Sequence, residues 1–251
     1  MKASKSLTTI LASVLMLASC GSEGTTSQAT GDTAQAAPDE QQTQVEEVTP
    51  QTITIDGAID HTQWTGGVES TITFEKFPKS VAEFESAMEQ LGQEPQGAVV
   101  LMLMAMELYR NDAQAGEQCL EMINTETNLP GVMRQLKEKL QPKDPKDSYA
   151  RPYLVATFLE GATPDNGYNP TRPYKVKVRT HPVNKYEKSD ALKGYVLELQ
   201  VYSNGYDTPW RGIQVLKAKG DTHYRVFNCP SMYTACKEIN WETDAEFKGL
   251  E

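Results

Sequence analysis

The sequence is short of the residue types that usually announce chemistry. It has three histidines and four cysteines in 251 residues, and neither type gathers. His61, His181 and His223 stand far apart, and none belongs to a His-Glu-x-x-His helix or another metal-ligand spacing, so no metal is expected. The chain lacks a Gly-x-Ser-x-Gly elbow, a phosphate-binding glycine loop and a paired-carboxylate motif, so no catalytic residue and no cofactor is assigned. Because triads assemble from distant residues, an uncharacterised hydrolase stays open as an alternative function. Positive charge is also scarce, with 24 Lys and Arg against 34 Asp and Glu, for a net charge of -10. That balance argues against nucleic acid as a partner, since such binding comes largely from neutralising phosphates.

Long apolar runs are missing too. Residues 98–106 are continuously apolar, but nine residues make a buried helix rather than a span, which needs about 20. The other apolar stretch lies at the N-terminus, where residues 6–18 carry no charge behind Lys2 and Lys5. It ends in Leu17-Ala18-Ser19-Cys20, which resembles a lipobox: small residues for a peptidase cleft, then a thiol for diacylglycerol. Residues 1–19 are therefore expected as a lipoprotein signal peptide and Cys20 as the lipidated first residue of the mature chain. A plain secretory leader with a coincidental cysteine is the alternative. Residues 20–50 read as a disordered tether, with six acids and no Lys or Arg after Cys20. Its charge repels an anionic surface, so lipid on Cys20 is what would hold the chain to a bilayer. The expected location is the cell envelope, lipid-anchored and extracytoplasmic.

About 180 residues then remain, enough for one substantial core. Residues 51–77 alternate in two interrupted stretches and predict an N-terminal extension or hairpin. Ser80 and Glu83 form a capping-box pattern ahead of Val81, Phe84, Met88 and Leu91 at helical spacing, stopped by Gly92. Helices are predicted at about 96–110, up to Ile123 with Ala115, Cys119, Met122 and Ile123 inward, and from Leu129-Pro130 with Val132, Met133, Leu136 and Leu140. After Asp147 the period falls to two. Residues 153–159 read as a strand apolar on both faces. Tyr174, Val176 and Val178 alternate with Lys175, Lys177 and Arg179, one dry face against one wet. Strands follow at 195–201, 213–219 and 224–227, with turns at Asn204-Gly205 and Gly220-Asp221. Three to four helices running together before four to five mostly antiparallel strands predict an α+β fold, a single domain over 78–240 with a flexible tail at 241–251.

Residues 158–168, Phe-Leu-Glu-Gly-Ala-Thr-Pro-Asp-Asn-Gly-Tyr, followed by Pro173-Tyr174-Lys175-Val176, resemble the hallmark of an uncharacterised bacterial family found mostly in anaerobic, gut-associated bacteria. The leader at 80–84, the helix ending in Leu108-Tyr109 and the strand-turn at 216–221 are similar to it as well. The chain departs at Thr222-His223-Tyr224-Arg225, where the family often runs into a Trp-rich strand. The resemblance implies domain boundaries and no activity.

The remaining candidates are a loop and two cysteines. Residues 161–172 are long for a hairpin and rich in Gly, Pro, Asn and Tyr. Tyr168, Tyr174, Tyr206 and Trp210 are candidate flat rings for a glycan, peptidoglycan or envelope protein, and Asp165 and Asn166 candidate hydrogen-bonding partners. The plain alternative is that Asp165-Asn166-Gly167 only turns the chain and the rings only pack. Cys229 and Cys236 flank a short loop at bridging separation, with three reduced, buried cysteines as the other option. The expected function is a membrane-tethered binding or interaction domain. A structural or envelope-stress lipoprotein without a small ligand is the alternative.

Overall fold

Helix formation in this chain starts where the capping pattern places it. In a computed structural model, which describes residues 48–125, 129–144, 147–183 and 187–251, Ser80 caps helix α1 (Val81–Leu91) by accepting the Glu83 N–H at 3.2 Å. The reciprocal half of the box is displaced by one residue. Glu83 accepts from the Lys79 N–H at 2.7 Å and pairs with the Lys76 ammonium at 2.7 Å. Helix α2 (Pro95–Asn111) begins with proline at a position whose N–H has no intrahelical partner. It is buried over residues 95–109, as a sequence apolar nearly all round requires, and the buried Glu107 is paired with Arg110. Helices α3 (Ala113–Ile123) and α4 (Leu129–Leu140) complete the set among the described residues, turning Cys119, Leu120 and Ile123, then Val132, Leu136 and Leu140, inward.

Helix α2, on which α1, α3 and α4 pack, covers one face of a seven-stranded antiparallel sheet. Its strands are β1 (Thr54–Asp56), β2 (Glu69–Phe74), β3 (Tyr174–Thr180), β4 (Glu187–Ser189), β5 (Gly194–Tyr202), β6 (Trp210–Ala218) and β7 (Arg225–Asn228). The order is β1-β2-β3-β5-β6-β7, and β4 pairs with the stretch of β5 that β3 leaves uncovered. Helix α2 lies against β2, β3, β5, β6 and β7, so the core sits between it and the inward residues Ile72, Val176, Val178, Leu197, Leu199, Val201, Ile213 and Val215.

The α+β class holds, but the layout differs from the expected run of helices and then strands. Strands β1 and β2 precede the helices, and seven strands replace four or five. Residues 51–77 supply β1 and β2, which pair antiparallel with each other, and β2 joins the main sheet by pairing with β3 across its whole length, with Ser70 opposite Val178 and Phe74 opposite Tyr174. No local pattern encodes a pairing between segments about a hundred residues apart. Residues 153–159 are not a strand but a buried irregular segment with a short 3₁₀ turn, Ala156–Phe158. Burial on all sides makes a sequence apolar whatever its backbone does. Residues 241–251 pack onto the domain instead of trailing from it. Leu250 is buried, Phe247 packs on the core, and the Phe77 N–H donates to the Glu251 carbonyl.

Cys119, Cys229 and Cys236 are buried thiols, and the Cys229–Cys236 bridge is not formed. Burial pushes the Cys119 and Cys236 thiols up to about 12, which keeps them protonated. The leader, Cys20 and the tether up to residue 47 lie outside the described residues. No described helix is long and apolar enough to cross a membrane.

Candidate functional site

The sheet face away from the helices carries the polar half of each strand. Lys175, Lys177 and Arg179 project there from β3, because Tyr174, Val176, Val178 and Thr180 occupy the buried positions. Register sets their neighbours: Thr71 lies opposite Lys177, and Glu69 opposite Arg179, which lies opposite Gln200 in turn. Tyr202, the last residue of β5, is directly opposite Trp210, the first of β6. Their rings meet edge to face at 5.3 Å.

A cleft of about 390 Å³ opens at this end of the face, lined by Glu69, Phe158, Glu160, Gly161, Lys175, Lys177, Tyr202, Asn204 and Trp210. Phe158, Glu160 and Gly161, at and just after the end of the buried 153–159 segment, contribute to its lining. The Glu160 N–H donates to the Lys175 carbonyl at 2.9 Å, and the Glu160 carbonyl accepts from Thr171 N–H, so this residue is fixed beside β3. Its carboxylate spans two ammonium groups, 3.0 Å from Lys177 Nζ and 3.6 Å from Lys175 Nζ. Lys177 beside it holds the carboxyl below the usual carboxylate range, against a smaller opposing effect of burial. The base is rigid. Ser203 Oγ donates to Thr157 across two wholly buried side chains, and Asn204 donates from its backbone to the Thr157 carbonyl and from Nδ2 to the Ala162 carbonyl. Trp210 is held on one face by Arg179, whose guanidinium lies 4.0 Å from the ring centre and also donates to Gln200 Oε1 at 2.8 Å.

The cleft therefore offers aromatic surface beside a carboxylate and two ammonium groups of known position. Hydroxyls find both acceptors and donors there, and a ring finds aromatic surface at the edge-to-face pair. Glu160 is poorly suited to general-acid work, since its surroundings favour the ionised form.

Of the six residues proposed from sequence as a recognition surface, Trp210 alone lines this cleft. Tyr168 is wholly buried, stacked on Tyr153 at 5.0 Å with its hydroxyl donating to the Lys237 carbonyl at 3.0 Å. Tyr174 is buried against Phe74 and Phe77, its hydroxyl accepting from Arg172 and from the Glu251 N–H. Tyr206 donates to the Thr234 carbonyl and packs between Phe158 and Arg211. Asp165 and Asn166 are exposed but engaged. Asp165 accepts from Asn240 at 2.7 Å, while Asn166 accepts from the N–H groups of Thr163 and Asn169 and donates to the carbonyls of Gly161 and Asn169. Gly167 takes φ +68° with Glu246 so close that a Cβ would sit 2.6 Å from its carbonyl oxygen. The loop is thus a turn clamped under the C-terminal segment, and the six residues do not form one recognition surface.

Glu160, Lys175, Lys177 and Tyr202 were missed as site residues. The alternation of Lys175, Lys177 and Arg179 was the available signal, since it marks which face is wet. Of the histidines, His61 meets Tyr224, His181 Nδ1 accepts from the Val183 N–H at 3.2 Å, and His223 contacts Thr222. None of them lines the cleft. Among the described residues no group of three or more His, Cys, Asp and Glu is placed to hold a metal.

A family model described as Domain of unknown function (DUF6935) matches residues 76–240, which include every lining residue of the cleft except Glu69. No curated protein and no solved structure matches the chain.

Proposed function

The chain belongs to the DUF6935 family of domains of unknown function, and from that premise we propose that it is a binding module of the bacterial cell envelope, tethered through acylated Cys20, that takes a saccharide on its open sheet face. The observation that carries this reading is the cleft itself. Tyr202 and Trp210 form an aromatic wall 5.3 Å apart, facing a carboxylate bridged to two lysines. Such a set matches a ring with one apolar face and equatorial hydroxyls, and the Glu160–lysine bridge opens to hydroxyl groups at little cost because it is exposed. A cavity of about 390 Å³ has room for one or two sugar rings. The lipid anchor is supported by the lipobox pattern, and the acidic spacer gives the domain reach from a surface.

Two experiments test the two halves. The chain expressed in a bacterium should incorporate labelled fatty acid, and Cys20→Ser should abolish it; label retained in that variant contradicts the anchor. Screened against glycans, peptidoglycan fragments and envelope-protein extracts, the protein should give a saturable glycan or peptidoglycan hit that Trp210→Ala weakens at least tenfold. Silence across all three contradicts binding through this face, and a hit confined to protein extracts contradicts the saccharide.

A further inference from the structure

The other end of the same ladder of strands is chemically different. A cavity of about 480 Å³ is lined by His61, Tyr195 and four lysines, Lys188, Lys193, Lys217 and Lys219, with Asp190 as its one acid. In a chain of net charge -10, that is a concentrated reversal of sign. It follows from the register. Lys188 is directly opposite Tyr195, and Tyr195 directly opposite Lys217, so two ammonium groups flank one ring across three adjacent strands. The Lys219 N–H donates to the Lys193 carbonyl at 2.7 Å, which brings the remaining two lysines together at the strand ends. Gly194 makes this closeness feasible, since a Cβ there would lie 2.3 Å from the Lys217 carbonyl oxygen.

The aromatic part is equally fixed. The His61 ring lies 5.1 Å from Tyr195, and His61 Nδ1 is 3.0 Å from the Tyr224 hydroxyl. Lys217 donates to the Thr222 carbonyl and sits 4.8 Å from the Tyr224 ring centre, so its charge is positioned before any ligand arrives. The acid does little to neutralise the group. Asp190 lies 3.7 Å from Lys188, and both side chains are mostly exposed.

We infer that this cavity is a site for a tetrahedral oxyanion, the phosphate or sulfate group of a small ester whose body lies against Tyr195. Lysines bind such groups as point charges, and four lining one cavity hold an oxyanion that a lone surface lysine does not. The focusing by a concave wall adds to this, and the interaction weakens with salt. The ester is either a free small molecule or a lipid headgroup, and the two present the same anion. The inference is independent of the saccharide cleft, which shares none of these residues.

The test titrates the full chain with inorganic pyrophosphate and a hexose phosphate, and separately with vesicles of phosphatidylglycerol against phosphatidylcholine. Lys188→Glu/Lys219→Glu changes two exposed side chains and leaves the core intact. Lys237→Glu/Lys248→Glu makes the same change in net charge elsewhere. Saturable binding of a soluble phosphate, weakened at least tenfold by the first pair and less than twofold by the second, supports a free-ester site. Binding to phosphatidylglycerol vesicles alone, with the same dependence on the first pair, supports a headgroup site. Absence of binding in both arms, or equal losses in the two double variants, overturns the inference.

Discussion

Glu160 and Asn166 lie six residues apart in one polar, glycine-rich stretch, yet they do opposite things. The loop around Asn166 uses its polar atoms on itself: its amide makes four hydrogen bonds to backbone groups between Gly161 and Asn169. Tyr168 closes the loop onto the domain, stacked on Tyr153 and bonded to Lys237. Glu160 instead turns to the sheet face, where its carboxylate meets two lysines that are themselves 44% exposed. Polar composition is the same in both places. What separates a binding surface from a turn is whether the polar groups are tied to the backbone, as at Asn166, or only to exposed side chains that can exchange partners, as at Glu160, and only the folded structure reveals that.

If that contrast is right, changes in the loop damage the fold and changes in the cleft damage binding. The largest effect is expected from Tyr168→Ala, which empties a fully buried aromatic site and should lower unfolding free energy by about 3–5 kcal/mol in urea titrations. The folded fraction should bind any cleft ligand as the parent does. Asn166→Ala removes the four bonds to backbone groups and should cost about 1–3 kcal/mol, again without changing affinity. Trp210→Ala sits at the crossover. It loses the Tyr202 and Arg179 contacts, about 1–2 kcal/mol of stability, and at least tenfold in ligand affinity.

Lys177→Ala reverses the loop pattern, with a stability change within about 0.5 kcal/mol in urea titrations and a several-fold loss of affinity in a calorimetric titration with the cleft ligand. The smallest effect concerns pH. Lys177 keeps the Glu160 carboxyl below its ordinary value, so folding favours the ionised form. That contribution is complete above the ordinary carboxylate range and is lost as pH falls through the lowered value. Because Glu160 is 39% exposed, the parent should exceed Glu160→Gln by no more than about 0.5 kcal/mol near neutral pH, the gap closing in acid.

Much of this architecture was legible in the sequence. The cap at Ser80, the buried character of α2 and the alternation through β3 and β5 are local patterns, and each element formed where its pattern lay. The same alternation marked Lys175, Lys177 and Arg179 as wet. What lay opposite them was not legible. Glu69 comes from a strand paired across about a hundred residues, and Glu160 follows an apolar run that reads as a strand but is a buried irregular segment with a 3₁₀ turn. Tyr168 misled for a related reason. The turn chemistry of Asp165-Asn166-Gly167 is local, but the C-terminal segment that covers it arrives from some eighty residues away.

The most direct test of the central claim is a two-dimensional NMR titration of the assigned protein with whichever saccharide the screen returns. The account predicts shifts centred on Glu160, Lys175, Lys177, Tyr202 and Trp210, with residues 163–170 nearly silent. Shifts centred on residues 163–170, with the sheet face unmoved, would contradict it.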